Sequence, residues 1–378
     1  MAEQKPRRPL RDRTRVVHAG VPRPVQGAPQ LPGPALASHF HLEGDPATSP
    51  YVYSRDGNPT WTLYQRALAE LEGGPATVFA SGMAAAAAVL VPLLRPGDVL
   101  VAPSDGYPAV RSLATGHLGR CGIEVRLVPS SEPPPDSAIE GARLVWLETP
   151  SNPSLDVVDI AEVARPAQAA GALVVVDNTL ATPLAQRPLD LGADYSVSSD
   201  SKHLTGHGDL ILGHVAVRDP DSRSELVGWR TETGAIAGPF EVWLAHRSLA
   251  TLALRLEQQS ATALALAERL LFREDVAAVR YPGLPGDRAH EVAKRQMRGF
   301  GSVISFTLED RGRAERFLAD CELVEQATSF GGVRSSAERR ARWGGDDLPE
   351  GFIRFSVGCE DADDLIADVE RALDLSAG

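Results

Sequence analysis

Between residues 98 and 200 the sequence keeps switching between short apolar runs and longer segments of helical spacing: DVLVAP, RSLATGHLGRCG, EVRLVP, ARLVWLETP, VDIAEVARPAQAAG, ALVVVDNT and DYSVSS. Apolar runs this short, most of them with no polar residue at every second place, fit strands that are covered on both faces. A parallel neighbour is reached only through a crossover, so strands joined by helices in this way run side by side in one direction. The pattern therefore predicts an α/β core, a mostly parallel sheet with helices on both faces.

At 378 residues the chain exceeds what a single ordinary core organises. Residues 21–50 are dense in Pro, Gly and small side chains, which disfavour regular elements and read as an extended arm. After NPT at 58–60, Leu63, Ala67, Leu68 and Leu71 recur at helical spacing up to Gly73-Gly74, and an alanine-rich helix follows. The character changes near residue 248. There the long amphipathic stretch SLATLALRLEQQSATALALAERLL leads into SVISFTLE, GRAERFLADC and FIRFSVG, a smaller α+β unit. The expected division is an arm at 1–59, the ligand-binding sheet domain at 60–248 and a C-terminal domain at 249–378. No internal repeat is visible.

A net charge of −12 argues against a nucleic-acid surface, which needs a basic face to meet phosphates. The basic stretch KPRRPLRDRTR at 5–15 is the exception, read here as a surface arm, with membrane or nucleic-acid binding as the alternative. No apolar segment of the secretory or membrane-spanning kind occurs, so a cytoplasmic location is expected. Cys121, Cys321 and Cys359 are far apart and form no CxxC pair, which fits unpaired thiols in a reducing compartment.

In such sheets ligands collect at the carboxyl ends of the strands. Four apolar runs end in polar residues of interest: VFASGM in Ser81, Gly82 and Met83, WLETPSNP in Asn152, LVVVD in Asp177, and YSVSSDSK in Lys202. Taken singly these read as a helix cap, an Asx turn, a strand-end turn residue and a solvated lysine. Taken together they match one cofactor. Pyridoxal 5′-phosphate needs a lysine for a Schiff base, a carboxylate against its ring nitrogen and a phosphate site such as a helix mouth. Ser199 and Ser201, just before Lys202, could add hydroxyls to that phosphate site. His203 and His207 have the spacing of helix-borne metal ligands, but Gly206 and Gly208 break a helix there and no third ligand is apparent, so no metal is expected.

The ordered motifs YVYSRDGNPT, FASGMAA, DGYPAVR, LETPSNP, VVVDNTLATP, SKHLTGHGDLILG, GFGSVISF and IRFSVGCEDADDLI resemble the cystathionine γ-lyase family of pyridoxal-phosphate enzymes, fold type I, from about Thr14 to about Leu373. The resemblance implies that Lys202 carries the cofactor and shuttles protons, Asp177 pairs with the ring nitrogen, and Tyr107 stacks on the ring and exchanges a proton with substrate. It further implies that Gly82, Met83, Ser199 and Ser201 hold the phosphate and that Asn152 bonds the ring oxygen. Arg354 would grip the substrate carboxylate, with Ser329 beside it. Tyr53 and Arg55 would reach the phosphate of a neighbouring subunit, within a homotetramer built from dimers with shared sites. The implied reaction is γ-elimination on a sulfur amino acid, cystathionine first, with methionine γ-lyase or a γ-synthase or sulfhydrylase as alternatives. Two departures bear on substrate. Many relatives carry a glutamate after SFGG where this chain has Arg334, and Ala109 stands where methionine γ-lyases typically have cysteine.

Overall fold

The computed structural model describes residues 10–345 and 347–377. Its larger sheet has seven strands: β1 (Ala76–Phe79), β2 (Val99–Pro103), β3 (Glu124–Val128), β4 (Leu144–Glu148), β5 (Leu173–Asp177), β6 (Tyr195–Ser198) and β7 (Gly213–Val217). Their order is β1-β7-β6-β5-β4-β2-β3. The strands from β3 to β6 in that order run parallel, as the alternation predicts, and β7 lies antiparallel between β1 and β6.

Successive side chains on the central strands go to opposite faces, and both faces are covered. Leu144, Trp146 and Val175 pack under the helix Gly82–Leu93, whereas Val145, Leu147, Val174 and Val176 pack under the helix Ile160–Ala169. Each fully buried Leu or Val contributes roughly 1.5–3 kcal/mol. That double burial is why these strands carry no polar alternation. The helix Pro59–Glu72 begins where Asn58 accepts the Thr60 N–H and Pro59 supplies a preset first turn, and it buries Trp61, Tyr64, Leu68 and Leu71.

The second sheet has the order β10-β11-β12-β9-β8, built from β8 (Ala278–Arg280), β9 (Val303–Thr307), β10 (Glu325–Gln326), β11 (Ser336–Arg339) and β12 (Phe352–Ser356). Only β10 and β11 pair in parallel. Helices Leu252–Leu271, Arg311–Asp320 and Ala362–Ser376 cover it through a core that includes Leu266, Phe306, Phe317 and Phe355. Polar ties join the two sheets: Ser305 Oγ donates to Pro153 O at 2.8 Å, and Arg280 and Arg288 both bond the buried Asp156.

Of the basic stretch, residues 5–9 lie outside the described residues. The rest enters a helix, Asp12–His18, that buries Val16, pairs Arg13 with Glu257 and sets Asp12 2.6 Å from Arg298. Residues 21–57 are irregular apart from one turn of 3-10 helix at Pro46–Thr48 and a bridge between His39 and Tyr53. Among the described residues no helix is long and apolar enough to cross a membrane.

Candidate active site

A cavity of about 840 Å³ opens at the carboxyl ends of β4, β5 and β6 and is closed from the other side by β12 and residues 327–334. Gly82, Met83, Tyr107, Asn152, Asp177, Ser199, Ser201, Lys202, Ser329 and Arg354 all line it. Residues far apart in sequence are thus gathered at one place. Tyr53 and Arg55 do not belong to this chain's cavity lining; Arg55 donates to Thr231 O at 2.9 Å and lies over the Tyr53 ring.

One end of the cavity is the mouth of the helix Gly82–Leu93. Ser81 caps it by accepting the Ala84 N–H at 3.0 Å, which leaves the N–H groups of Gly82 and Met83 without an intrahelical acceptor. A β-carbon on Gly82 would sit 2.7 Å from Ser199 Cβ, so only glycine lets the mouth come this close to the turn after β6. Ser199 Oγ has no hydrogen-bond partner among the described residues. The Ser201 hydroxyl, by contrast, bonds both the carbonyl (3.1 Å) and the N–H (3.0 Å) of Leu212 and so pins the turn.

Behind that turn lies a buried network that sequence reasoning missed. Asp200 accepts from Tyr64 Oη at 2.8 Å and meets His214 Nδ1 at 2.5 Å, and His214 Nε2 meets Glu72 at 3.1 Å. Burial works against a charge on His214, yet Asp200 and Glu72 outweigh it and push the imidazole up to about 10. The one available signal was a histidine within the apolar run GHVAV.

In the middle of the cavity, Asp177 and Glu148 stand side by side at the ends of β5 and β4. Thr179 donates to Asp177 twice, from N at 3.0 Å and Oγ1 at 2.5 Å, and both bonds fall on Oδ1, which leaves Oδ2 for a ligand. Glu148, also missed in the sequence although it sits in WLETPSNP, accepts the Tyr107 N–H at 2.6 Å and the Asn152 N–H at 2.9 Å. Burial raises both carboxyls, and the Asp177 charge adds to the rise at Glu148.

Lys202 donates to Ser329 Oγ at 2.6 Å and sits over the Phe330 ring. Burial, and then the Arg354 charge, lower its ammonium to about 8. Ser329 has φ +81°, a left-handed conformation rarely taken by a residue with a side chain, and its carbonyl accepts from Arg354 at 2.9 Å. Arg354, on β12 and 4% exposed, also donates to Asn152 Oδ1 at 2.8 Å and to Glu338 at 2.5 Å. Asn152 Oδ1 is therefore engaged, and its amide nitrogen is the group left to donate to a ligand.

Glu338 is a hub, because Arg340, Arg342 and the Trp343 indole also bond it. The basic run after SFGG is thus folded around a buried carboxylate. Arg334 lines the cavity mouth and pairs with Glu325 at 3.1 Å. His203, buried against Ser302 Oγ at 2.7 Å, is pushed down to about 3 by burial and by Arg255. The described residues contain no group of three or more His, Cys, Asp or Glu able to hold a metal.

The donor set fits pyridoxal phosphate. Two free helix-mouth N–H groups suit its phosphate, an uncommitted carboxylate oxygen suits its ring nitrogen, and a lysine of lowered basicity suits its aldehyde. Comparison with known proteins points the same way. The family described as "Cys/Met metabolism PLP-dependent enzyme" matches residues 13–374. A protein of Streptomyces coelicolor named "Putative cystathionine gamma-lyase" is 57% identical over 96% of this chain and 93% of its own length. The cystathionine γ-synthase of Mycobacterium tuberculosis is 39% identical over 95% of this chain and 96% of its own. Apo CalE6 of Micromonospora echinospora, described as a methionine γ-lyase, superposes with a TM-score of 0.90 at 40% identity, covering 96% of this chain and 99% of that one. Another structure describes CalE6 as a cystathionine γ-lyase.

Proposed function

The chain belongs to the Cys/Met-metabolism family of pyridoxal-phosphate-dependent enzymes, and on that premise we propose that it is a carbon–sulfur lyase that cleaves cystathionine by γ-elimination to cysteine, 2-oxobutanoate and ammonia. One observation carries the choice of substrate: identity is 57% to the Streptomyces protein named for that activity and 39% to the synthase. Methionine is the second candidate, since CalE6 bears both descriptions at 40% identity.

Pyridoxal phosphate, when bound, supplies an electron sink for the charge left when protons leave the substrate. In this reading Gly82, Met83 and Ser199 hold its phosphate, while Ser201, expected to join them, spends its hydroxyl proton on Leu212 O and pins the turn instead; Asp177 faces the ring nitrogen, Asn152 the ring oxygen, and Tyr107 covers one ring face. Arg354 takes the substrate α-carboxylate with its planar fork, steadied by Glu338 and by the Ser329 carbonyl. Lys202 removes the proton from Cα. A basicity lowered to about 8 supports that role, because a usable fraction of the amine is uncharged near neutral pH. Once it has handed that proton on, the amine would be free to take one from Cβ, and Tyr107 would protonate the departing sulfur.

Tyr53 and Arg55 lie away from this chain's own cavity, which supports their serving a second copy. The assembly proposed is a homotetramer of dimers with shared sites, working in the cytoplasm, where the three unpaired cysteines are at home.

The test is product identity. Purified protein should be yellow and should convert cystathionine to cysteine and 2-oxobutanoate. Release of homocysteine and pyruvate would mean β-cleavage instead, and turnover of methionine alone would favour the second candidate.

A further inference from the structure

The turn that carries Lys202 closes on itself, Gly206 N bonding Lys202 O at 2.8 Å, and then breaks away at Gly206, whose φ is +70°. Among the described residues no backbone N–H reaches the carbonyls of His203 and Leu204, which would otherwise stay unpaired inside the protein. Arg255, 6% exposed on the helix Leu252–Leu271, answers both. Its guanidinium donates to His203 O at 2.6 Å, to Leu204 O at 3.2 Å and to Ser248 O at 3.2 Å, and its Nε donates to Thr251 Oγ1 at 3.2 Å. No carboxylate among the described residues pairs with it, so this buried cation serves carbonyls alone. A β-carbon on Gly206 would collide with the guanidinium, and only glycine lets the turn come so close. One turn along the same helix face, Gln259 Nε2 donates to Gly332 O at 2.7 Å. Gly332 belongs to the segment that brings Ser329 to the lysine, and Val333 N returns to Gly206 O at 2.9 Å. Both walls of the contact between Lys202 and Ser329 thus hang on two side chains of one helix.

We propose that Arg255 is a positioning residue for Lys202: by tying the carbonyls of the two residues after the lysine to the helix that also carries Gln259, it sets the amine in register with Ser329 and holds it inside the cavity. A planar fork suits the task, because two neighbouring carbonyls are met at once by groups in fixed relation. Around Arg255 itself stand His203, which burial and the Arg255 charge keep neutral, and the Cys359 thiol.

The basicity of the amine is a gauge of its place. Burial is the largest influence and lowers it, Arg354 on β12 lowers it further, and Glu338 on β11 and Asp177 on β5 raise it, with about 8 as the result. Without the fork, the carbonyls of His203 and Leu204 turn toward water, since a buried carbonyl without a donor is costly, and the turn rotates with them. The amine then leaves Ser329 for a wetter place, and the loss of the burial effect returns it toward the basicity of a free lysine.

The inference rests on Lys202 being the amine that meets the cofactor, and the experiment keeps the two apart. The chain has three lysines, Lys5, Lys202 and Lys294. Trace acetylation of the apoprotein with acetic anhydride across a pH series, read by peptide mass, therefore follows Lys202 by itself, with the exposed Lys294 as reference. The labelling midpoint of Lys202 should lie near pH 8 in wild type and rise by about one unit in Arg255→Lys, which keeps the charge and loses the fork. A midpoint unchanged or lowered in that variant overturns the proposal, and if Arg255→Gln alone raises it, the charge of Arg255 acts and its fork does not. A wild-type midpoint equal to that of Lys294 overturns it as well. Should the variants not fold, wild type decides by hydrogen exchange: the amides of Thr205 and Gly206, which close the turn on Asp200 O and Lys202 O, should exchange as slowly as those of β5, and fast exchange overturns the proposal. Pyridoxal phosphate should shield Lys202 from the label; full labelling in its presence overturns the cofactor reading and leaves the comparison of midpoints standing.

Discussion

Replacing Glu325 by Gln should weaken turnover of cystathionine and leave methionine untouched. The reason lies in how the cavity mouth is built. Val333 and Ser335, on either side of Arg334, are both pinned, Val333 N to Gly206 O at 2.9 Å and Ser335 N to Glu360 at 2.6 Å. Pairing of β10 with β11 then brings Glu325 to within 3.1 Å of the Arg334 guanidinium. With Arg354 holding the near carboxylate at the buried end, the distal part of a long substrate reaches this pair. Cystathionine ends there in an ammonium and a carboxylate, one for each partner, whereas methionine ends in a methyl group. Bare Coulomb attraction at 4 Å is about 1 kcal/mol in water and about 4 kcal/mol near a protein surface. Side-chain exposures of 78% for Arg334 and 55% for Glu325 bring this toward the lower figure. The expected loss in kcat/KM for cystathionine is about two- to fivefold, larger at low salt, with the methionine value unchanged. Initial rates of 2-oxobutanoate release from both substrates at two ionic strengths measure it. Equal losses on both, or none on cystathionine, would refute the reasoning.

Gly82→Ala should weaken pyridoxal phosphate binding about tenfold, because the new methyl meets Ser199 at 2.7 Å and drives the helix mouth off the turn; a fluorescence titration of the apoprotein reads this. His214, raised to about 10 in the folded protein from 6.5, contributes stability that is fully present below pH 6.5 and is lost as pH rises through about 10. The stability gap between wild type and His214→Asn should therefore narrow over that window in urea melts, and a constant gap would show that His214 is not charged in the fold. Lys202→Ala and Arg55→Ala protomers, each inactive, should recover activity when mixed if sites are shared; confirmed subunit exchange without recovery would reject the shared site.

Much of this was legible in the sequence because strand ends announce themselves. An apolar run that stops at Asp177 or leads up to Lys202 marks a sheet edge, and edges are where ligands sit. Residues whose roles depend on a partner were not legible. Glu148 looks like a strand-end carboxylate until Asp177, Tyr107 and Asn152 are beside it. Asp200 and His214 read as a loop acid and an odd strand residue until Tyr64 and Glu72 close the network. Nothing near Arg334 in the sequence names its partner, and only the pairing of a two-residue strand, far too short to show a period, brings Glu325 to it. β7 escaped notice because GHVAV follows a glycine-rich turn and its pairing with β1 spans a large part of the chain.

Lys202 and Asp177 come from one sheet, Arg354 and Glu338 from the other, and Ser329 bridges them through a hydroxyl to the lysine and a carbonyl to the arginine. A substrate held at both places is therefore a crosslink between two bodies with separate cores. Its binding energy is shared by both, so local opening of either should become costlier. Amides of β12, well away from the cofactor, would then slow their hydrogen exchange in step with those of β5 when an unreactive amino acid fills the cavity, while pyridoxal phosphate by itself would slow only β5.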